Sequence, residues 1–315
     1  MATEPGIAAF EVTPVAQQPC PMRSYAAVAD YWALTKPEIN FLIAIATFTG
    51  FYLGYTDRRP AQFHGFPFLL LIHTLLGTLL VASGTGTLNQ YLERRFDAQM
   101  RRTARRPLAA GRLEPSPALW FGILMSLAGS IYLAAAVNAL ASLLAILTLV
   151  SYLALYTPLK RKTPLCTVVG ALPGAMPPLI GWAAASGKLS FEAWVLYAML
   201  FLWQFPHFMA IAWMYREDYA RAGYLVLPRG EQSGCFMSWQ ALVASLALIP
   251  VSVSPTVIGG AGHVYFVVAG MLSSGFFYYS ARLAFQRSNA AARRLLMVSI
   301  IYLPLLFFFM VLDKI

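Results

Sequence analysis

Read for its apolar and polar positions, the chain contains nine long apolar runs, at residues 39–56, 67–88, 117–136, 138–157, 166–186, 191–213, 236–254, 264–284 and 295–312. Each has about 17–25 residues, the length a helix needs to cross the hydrocarbon core of a bilayer. The pattern predicts an all-α integral membrane protein of nine transmembrane helices. Two polar connections are long, 89–116 and 214–235, and the rest are short. Residues 1–30 are rich in Ala, Pro and Gln, carry no apolar core and lack the pattern of a secretory signal. They are expected to form a disordered or loosely held tail on a single membrane domain, 31–315.

Composition sharpens this. The 315 residues are 59% apolar and 11% charged, with a mean hydropathy of +0.62, which excludes an ordinary soluble domain. The 23 Lys and Arg fall unevenly across the nine runs. Nineteen lie on one side, among them Arg23, Lys36, seven arginines between 94 and 112, and Lys160 to Lys162. Four lie on the other: Arg58, Arg59, Lys188 and Lys314. Positive charge stays inside, so the N-terminus is expected in the cytoplasm and, with an odd helix count, the C-terminus outside. The net charge of +10 is then largely a topology signal and requires no nucleic-acid partner. Cys20, Cys166 and Cys235 show no metal spacing. Cys20-Pro21 is a dipeptide that sometimes ligates haem, but it lies in the tail.

Polar residues in a membrane chain mark its chemistry, and here they gather on the charged side. Asn89, Glu93 and Asp97 are spaced by four, so on a helix they share one face. Three such oxygens suit Mg²⁺, which takes the rest of its shell from water and substrate phosphate. Equally, carboxylates at this spacing can simply pair with neighbouring arginines on a wet helix end. MRRTARRP follows, a set of arginines able to hold diphosphate oxygens or merely to fix topology. Glu217 and Asp218 end the sixth run on the same side and offer a second acidic point. The segment YTPLKRKTPLCTVVGALPGAMPPLIGW, 156–182, is too rich in Pro and Gly for one regular helix. It either breaks to line a cavity or crosses a neighbour tightly at small residues.

These words, with LTKPEIN at 34–40 and PHFMAIAWMYREDYARAG, resemble the UbiA superfamily of intramembrane prenyltransferases, and its haem branch rather than its quinone branch. The resemblance implies nine helices around a central cavity capped on the cytoplasmic face of a bacterial inner membrane. It implies farnesyl diphosphate and haem b as substrates, Mg²⁺ as cofactor and haem O as product. Membrane lipid, haem A synthase and terminal oxidase assembly proteins would be the surroundings. Asn89, Glu93, Asp97 and Asp218 match the catalytic metal motifs, with Glu217 beside them. Lys36, Arg102, Arg106, Lys160 and Arg161 match the basic, diphosphate-binding positions. One departure is Glu93, where the family's usual middle acid is Asp; another is Ala222, four residues after Asp218.

The chemistry implied is ionisation of an allylic diphosphate followed by attack of a haem vinyl group. It needs no Ser or Cys nucleophile. His207, just inside the sixth run, is a candidate haem ligand or a packing histidine; His73 lies about four turns from Asn89 and is expected in the opposite half of the membrane. Two other functions remain open: prenylation of an aromatic quinone precursor, and a non-enzymatic membrane protein that carries haem. A phospholipid-type alcohol phosphotransferase would want an acidic run such as DGxxAR, which the sequence lacks.

Overall fold

The computed structural model describes residues 22–55, 66–228 and 233–315, and side chains from residue 27 onward. Every long element among them is a helix, because a backbone in lipid must satisfy its own hydrogen bonds. The helices are α1 (Met22–Leu34), α2 (Pro37–Gly54), α3 (Phe68–Asp97), α4 (Pro115–Ala136), α5 (Ala139–Val150), α6 (Thr157–Leu159), α7 (Cys166–Gly174), α8 (Pro177–Ser186), α9 (Phe191–Met214), α10 (Arg216–Arg221), α11 (Cys235–Val257), α12 (His263–Gln286) and α13 (Asn289–Leu312). A π turn, Ser151–Tyr156, joins α5 to α6.

Among the described residues, eight spans are long and apolar enough to cross a membrane, α5 with α6 and α7 with α8 each counting as one. The first expected run corresponds to α2, which is 18 residues long but spends its first turn on Pro37, Glu38 and Asn40. Neighbours in sequence pack together along α3–α4, α4–α5, α11–α12 and α12–α13, and α13 returns to α2 to close the bundle.

Residues 22–30 are helical and form the first part of α1, whose later residues are held to the bundle. Leu34 is buried against Leu108 and Ala118, Tyr31 packs edge-on to Phe121 at 5.1 Å, and Arg112 donates to both oxygens of Asp30 at 2.9–3.0 Å. Residues 1–21, and with them Cys20-Pro21, lie outside the described residues, as do Arg58, Arg59 and His64. Helix α3 continues past the apolar run as helix to Asp97, so Asn89, Glu93 and Asp97 lie on its end, as their spacing leads one to expect. At 30 residues it is about 45 Å long, longer than the roughly 30 Å hydrocarbon core, so its last turns extend past the apolar run.

The Pro- and Gly-rich segment both breaks and crosses a neighbour tightly. It breaks at Ala175 and Met176, between α7 and α8. The α8 half is the innermost piece of the bundle, with Pro177 to Ala184 all buried, packed on α2, α3, α5 and α9. There the backbones touch: a Cβ on Gly50 would stand 2.0 Å from the Pro178 carbonyl oxygen, and one on Gly181 2.0 Å from that of Thr47.

Candidate active site

At the end of α3, Asn89, Glu93 and Asp97 are 1%, 5% and 1% exposed. Helical spacing puts them on one face, and the fold turns that face inward. Each meets a cation or hydroxyl from a different element. Lys36, in the turn between α1 and α2, donates its Nζ to Asn89 Oδ1 at 3.0 Å. Asn89 Nδ2 donates to Thr157 Oγ1 at 3.3 Å. Lys160, just past α6, donates to both Glu93 oxygens at 2.8 and 3.1 Å. Arg106 Nη1 donates to Asp97 Oδ2 at 2.7 Å, and Thr103 Oγ1 donates to the Asp97 carbonyl at 2.9 Å.

Local structure aims these groups. Lys36 has a left-handed backbone, φ 54°, unusual for a residue with a side chain. Here it forms the corner that separates α1 from α2 and starts α2 at Pro37. The π turn brings both Tyr156 and Lys160 to the site: the Lys160 ammonium stands 4.4 Å from the Tyr156 ring centre and 5.9 Å from that of Tyr224. Burial, with the Arg106 cation acting the same way, lowers Lys36 to about 7. Burial would also lower Lys160, but the Glu93 carboxylate overrides it and holds this lysine well above its ordinary value.

The second acidic point reaches the same region through the loops. Arg102 donates to the Tyr219 hydroxyl at 3.4 Å and lies over the Tyr215 ring at 5.3 Å. Arg221 donates to the Gln99 carbonyl at 3.2 Å and pairs with Asp218 at 3.3 Å. Asp218 is buried, whereas Glu217 is exposed. The two helix ends are thus joined, with Asp218 as the inward acid. Arg161 is placed differently from the other basic candidates. It makes no ion pair among the described residues, and its guanidinium lies 4.4 Å from the Phe96 ring centre.

His207 sits away from this cluster, against α13. Its Nδ1 is 2.8 Å from Ser299 Oγ, and its ring stacks on Trp203 at 4.8 Å, a packing and hydrogen-bonding place. His73 is bonded through Nδ1 to the Tyr132 hydroxyl on α4. Spacing and motif did not single out Thr157, Phe96, Tyr156, Tyr219 or Tyr224. In a chain with 16 Tyr and 21 Phe, composition could not pick them out.

Among the described residues no three His, Cys, Asp or Glu side chains gather closely enough to hold a metal by themselves. The donor set nevertheless suits a hard cation shared with a phosphate. The acids carry oxygen ligands, and Asp97 Oδ1 is buried without a partner, a costly condition that a cation would relieve.

The model of the UbiA prenyltransferase family matches residues 32–311. A protoheme IX farnesyltransferase from Solibacter usitatus is 48% identical over 287 residues, covering 90% of this chain and 98% of its own. One from Koribacter versatilis is 42% identical, covering 90% and 93%. Among solved structures, a digeranylgeranylglyceryl phosphate synthase superposes with a TM-score of 0.70 at 15% identity, covering 91% of this chain and 98% of its own. A UbiA homolog from Archaeoglobus fulgidus bound to GPP and Mg²⁺ gives 0.56 at 14% identity, covering 90% and 99%. At these identities the two structures speak to the fold.

Proposed function

The chain belongs to the UbiA prenyltransferase family, and from that premise and the site geometry we propose that it transfers the farnesyl group of farnesyl diphosphate to a vinyl group of haem b. Water adds in the same sequence, giving haem O, diphosphate and a proton. The observation that carries the diphosphate half is the end of α3, where three buried oxygen-bearing side chains meet Lys36, Lys160 and Arg106. The near full-length likeness to two farnesyltransferases of protohaem supports haem b as the acceptor.

Asn89, Glu93, Asp97 and Asp218 are the residues that would hold Mg²⁺, the ion bound with GPP in the Archaeoglobus homolog. Bound there, the metal would neutralise diphosphate charge and improve it as a leaving group. The chain's own cations act in the same direction. Lys36, Lys160, Arg102 and Arg106 bind the diphosphate oxygens and stabilise the charge that grows as the C1–O bond breaks. The bond's electron pair leaves with diphosphate. The vinyl π electrons then attack C1, the resulting cation rests on the carbon next to the macrocycle, and water captures it and loses a proton. Until that attack the allylic cation must be kept dry, and the aromatic faces of Tyr156 and Tyr224 beside Lys160 suit a cation.

The same reading makes α2 the ninth crossing. It places the site at the cytoplasmic face of a bacterial inner membrane, where Lys and Arg concentrate, and the C-terminus outside. Haem A synthase or terminal oxidase assembly proteins would receive the product. The test offers the purified chain farnesyl diphosphate and Mg²⁺ with either haem b or 4-hydroxybenzoate, and identifies products by mass. A farnesylated, hydrated haem is expected. A prenylated hydroxybenzoate with no haem product would contradict haem as the acceptor.

A further inference from the structure

Among the described residues, some of the basic residues at this end of the bundle are committed to a partner and others have no carboxylate. Lys160, Arg106, Arg112 and Arg221 each pair with a carboxylate, and Lys36 is bonded to Asn89. Arg161 and Lys162 have no carboxylate among the described residues. Both are exposed, and both line a cavity of about 590 Å³ whose apolar wall includes Leu92, Phe96, Leu153 and Pro158. That volume lies within the roughly 300–1,000 Å³ of small-molecule sites.

The cavity is ordered along α3. Leu92 and Glu93 stand at its deeper level, and Phe96 is about one turn, or roughly 5 Å, nearer the helix end. The Arg161 guanidinium carbon stands 4.4 Å from the Phe96 ring centre, so this cation occupies the outer end and the apolar wall runs below it. Glu93 lines this cavity and also binds Lys160, so the pair is a shared wall between the cavity and the Lys36–Asn89 cluster. Leu92, 47% exposed, faces out of the bundle.

A ligand fitting this arrangement is flat and apolar over most of its area, with carboxylates on one edge and its reacting group on another. A guanidinium whose carbon rests over a ring and which has no carboxylate partner keeps N–H donors available for a carboxylate. We propose that this cavity is the acceptor subsite, with Arg161 and Lys162 holding the two propionates of haem b while the vinyl edge points to the Glu93–Lys160 wall. The assignment rests on the haem-transfer reading above. It also moves Arg161 from the diphosphate set, where its neighbour Lys160 belongs, to the acceptor set.

The test uses the full chain in lipid nanodiscs, with haem b and haem b dimethyl ester as alternative acceptors at saturating farnesyl diphosphate. Wild type is expected to show a KM about tenfold or more higher for the ester, the loss of a charged hydrogen-bonded pair. Arg161→Gln/Lys162→Gln raises the KM for haem b to that of the ester and leaves the KM for farnesyl diphosphate unchanged. Arg161→Lys/Lys162→Arg, which keeps both charges, retains most of the preference and controls for folding. Equal use of acid and ester by wild type would overturn the subsite. So would a rise in the farnesyl diphosphate KM alone, or no change in the double variant. If wild type makes no haem product from either acceptor, the transfer reading fails by itself. Equilibrium titration of haem b against both proteins then decides the subsite separately, and equal affinities overturn it.

Discussion

Glu93 is a charged residue 5% exposed at the end of a membrane helix, a condition tolerated only when the charge is matched. Lys160 matches it at both oxygens, a two-point contact. Removing one partner strands the other, which costs about 3–5 kcal/mol for a buried pair. Glu93→Gln should therefore lower the melting temperature of the detergent-solubilised protein as well as its activity. Glu93→Gln/Lys160→Met should recover most of the stability, because no charge is left unpaired, while activity stays lost. Full activity in the double variant would mean that the pair is structural only. The acidic face itself was legible in the sequence, since a spacing of four fixes a helical face without tertiary information. Its partners were not. Which of nineteen cations pairs with which acid depends on the corner at Lys36 and the loops carrying Arg106 and Lys160, and no local spacing encodes that. Glu217 and Asp218 were adjacent candidates, and only the packing of α10 separated the exposed one from the buried one.

Among elements, the divided helix α7–α8 carries the tightest contacts. GALPGAMPPLIGW announced an irregular helix but left a break and a close crossing as alternatives. The chain uses the prolines for the first and Gly181 for the second. Gly181→Ala or Gly50→Ala would drive a methyl into a backbone carbonyl, an overpacking that typically costs about 1–3 kcal/mol. Both should lower the melting temperature more than Gly122→Ala, whose Cβ would meet the Leu88 and Thr87 side-chain carbons first, at 2.9–3.2 Å. Equal losses at all three would argue against a backbone-to-backbone crossing. The π turn at Ser151–Tyr156 was not legible. One extra residue in a turn leaves the apolar pattern of 138–157 intact, yet it decides which residues of YTPLK reach the site.

Taken whole, the molecule gathers the basic residues of its long loops at the end where Asn89, Glu93, Asp97 and Asp218 lie. Apolar run length identified the eight crossing helices seen among the described residues, because backbone hydrogen bonding in lipid leaves no other structure. It did not mark the end of α3, whose last nine residues are mostly polar; their helical spacing did. It missed α1, which is short and held by Asp30–Arg112 and the Tyr31–Phe121 contact. Orientation can be measured with Cys235, exposed at the start of α11 on the same side as the site, while Cys166 is buried. In a Cys20→Ser background, a membrane-impermeant maleimide should label inside-out vesicles and spare right-side-out ones. The reverse would place the site outside.

The most direct test of the account is haem product formation by wild type and Asp97→Asn, followed by mass across a Mg²⁺ titration with an EDTA control. The account predicts a farnesylated, hydrated haem from wild type that disappears with EDTA. It predicts a rate at least about 100-fold lower in the variant, the scale of losing one preorganised electrostatic group, with a higher Mg²⁺ requirement. Wild-type rates and an unchanged Mg²⁺ requirement in Asp97→Asn, or product formation that survives EDTA, would contradict it.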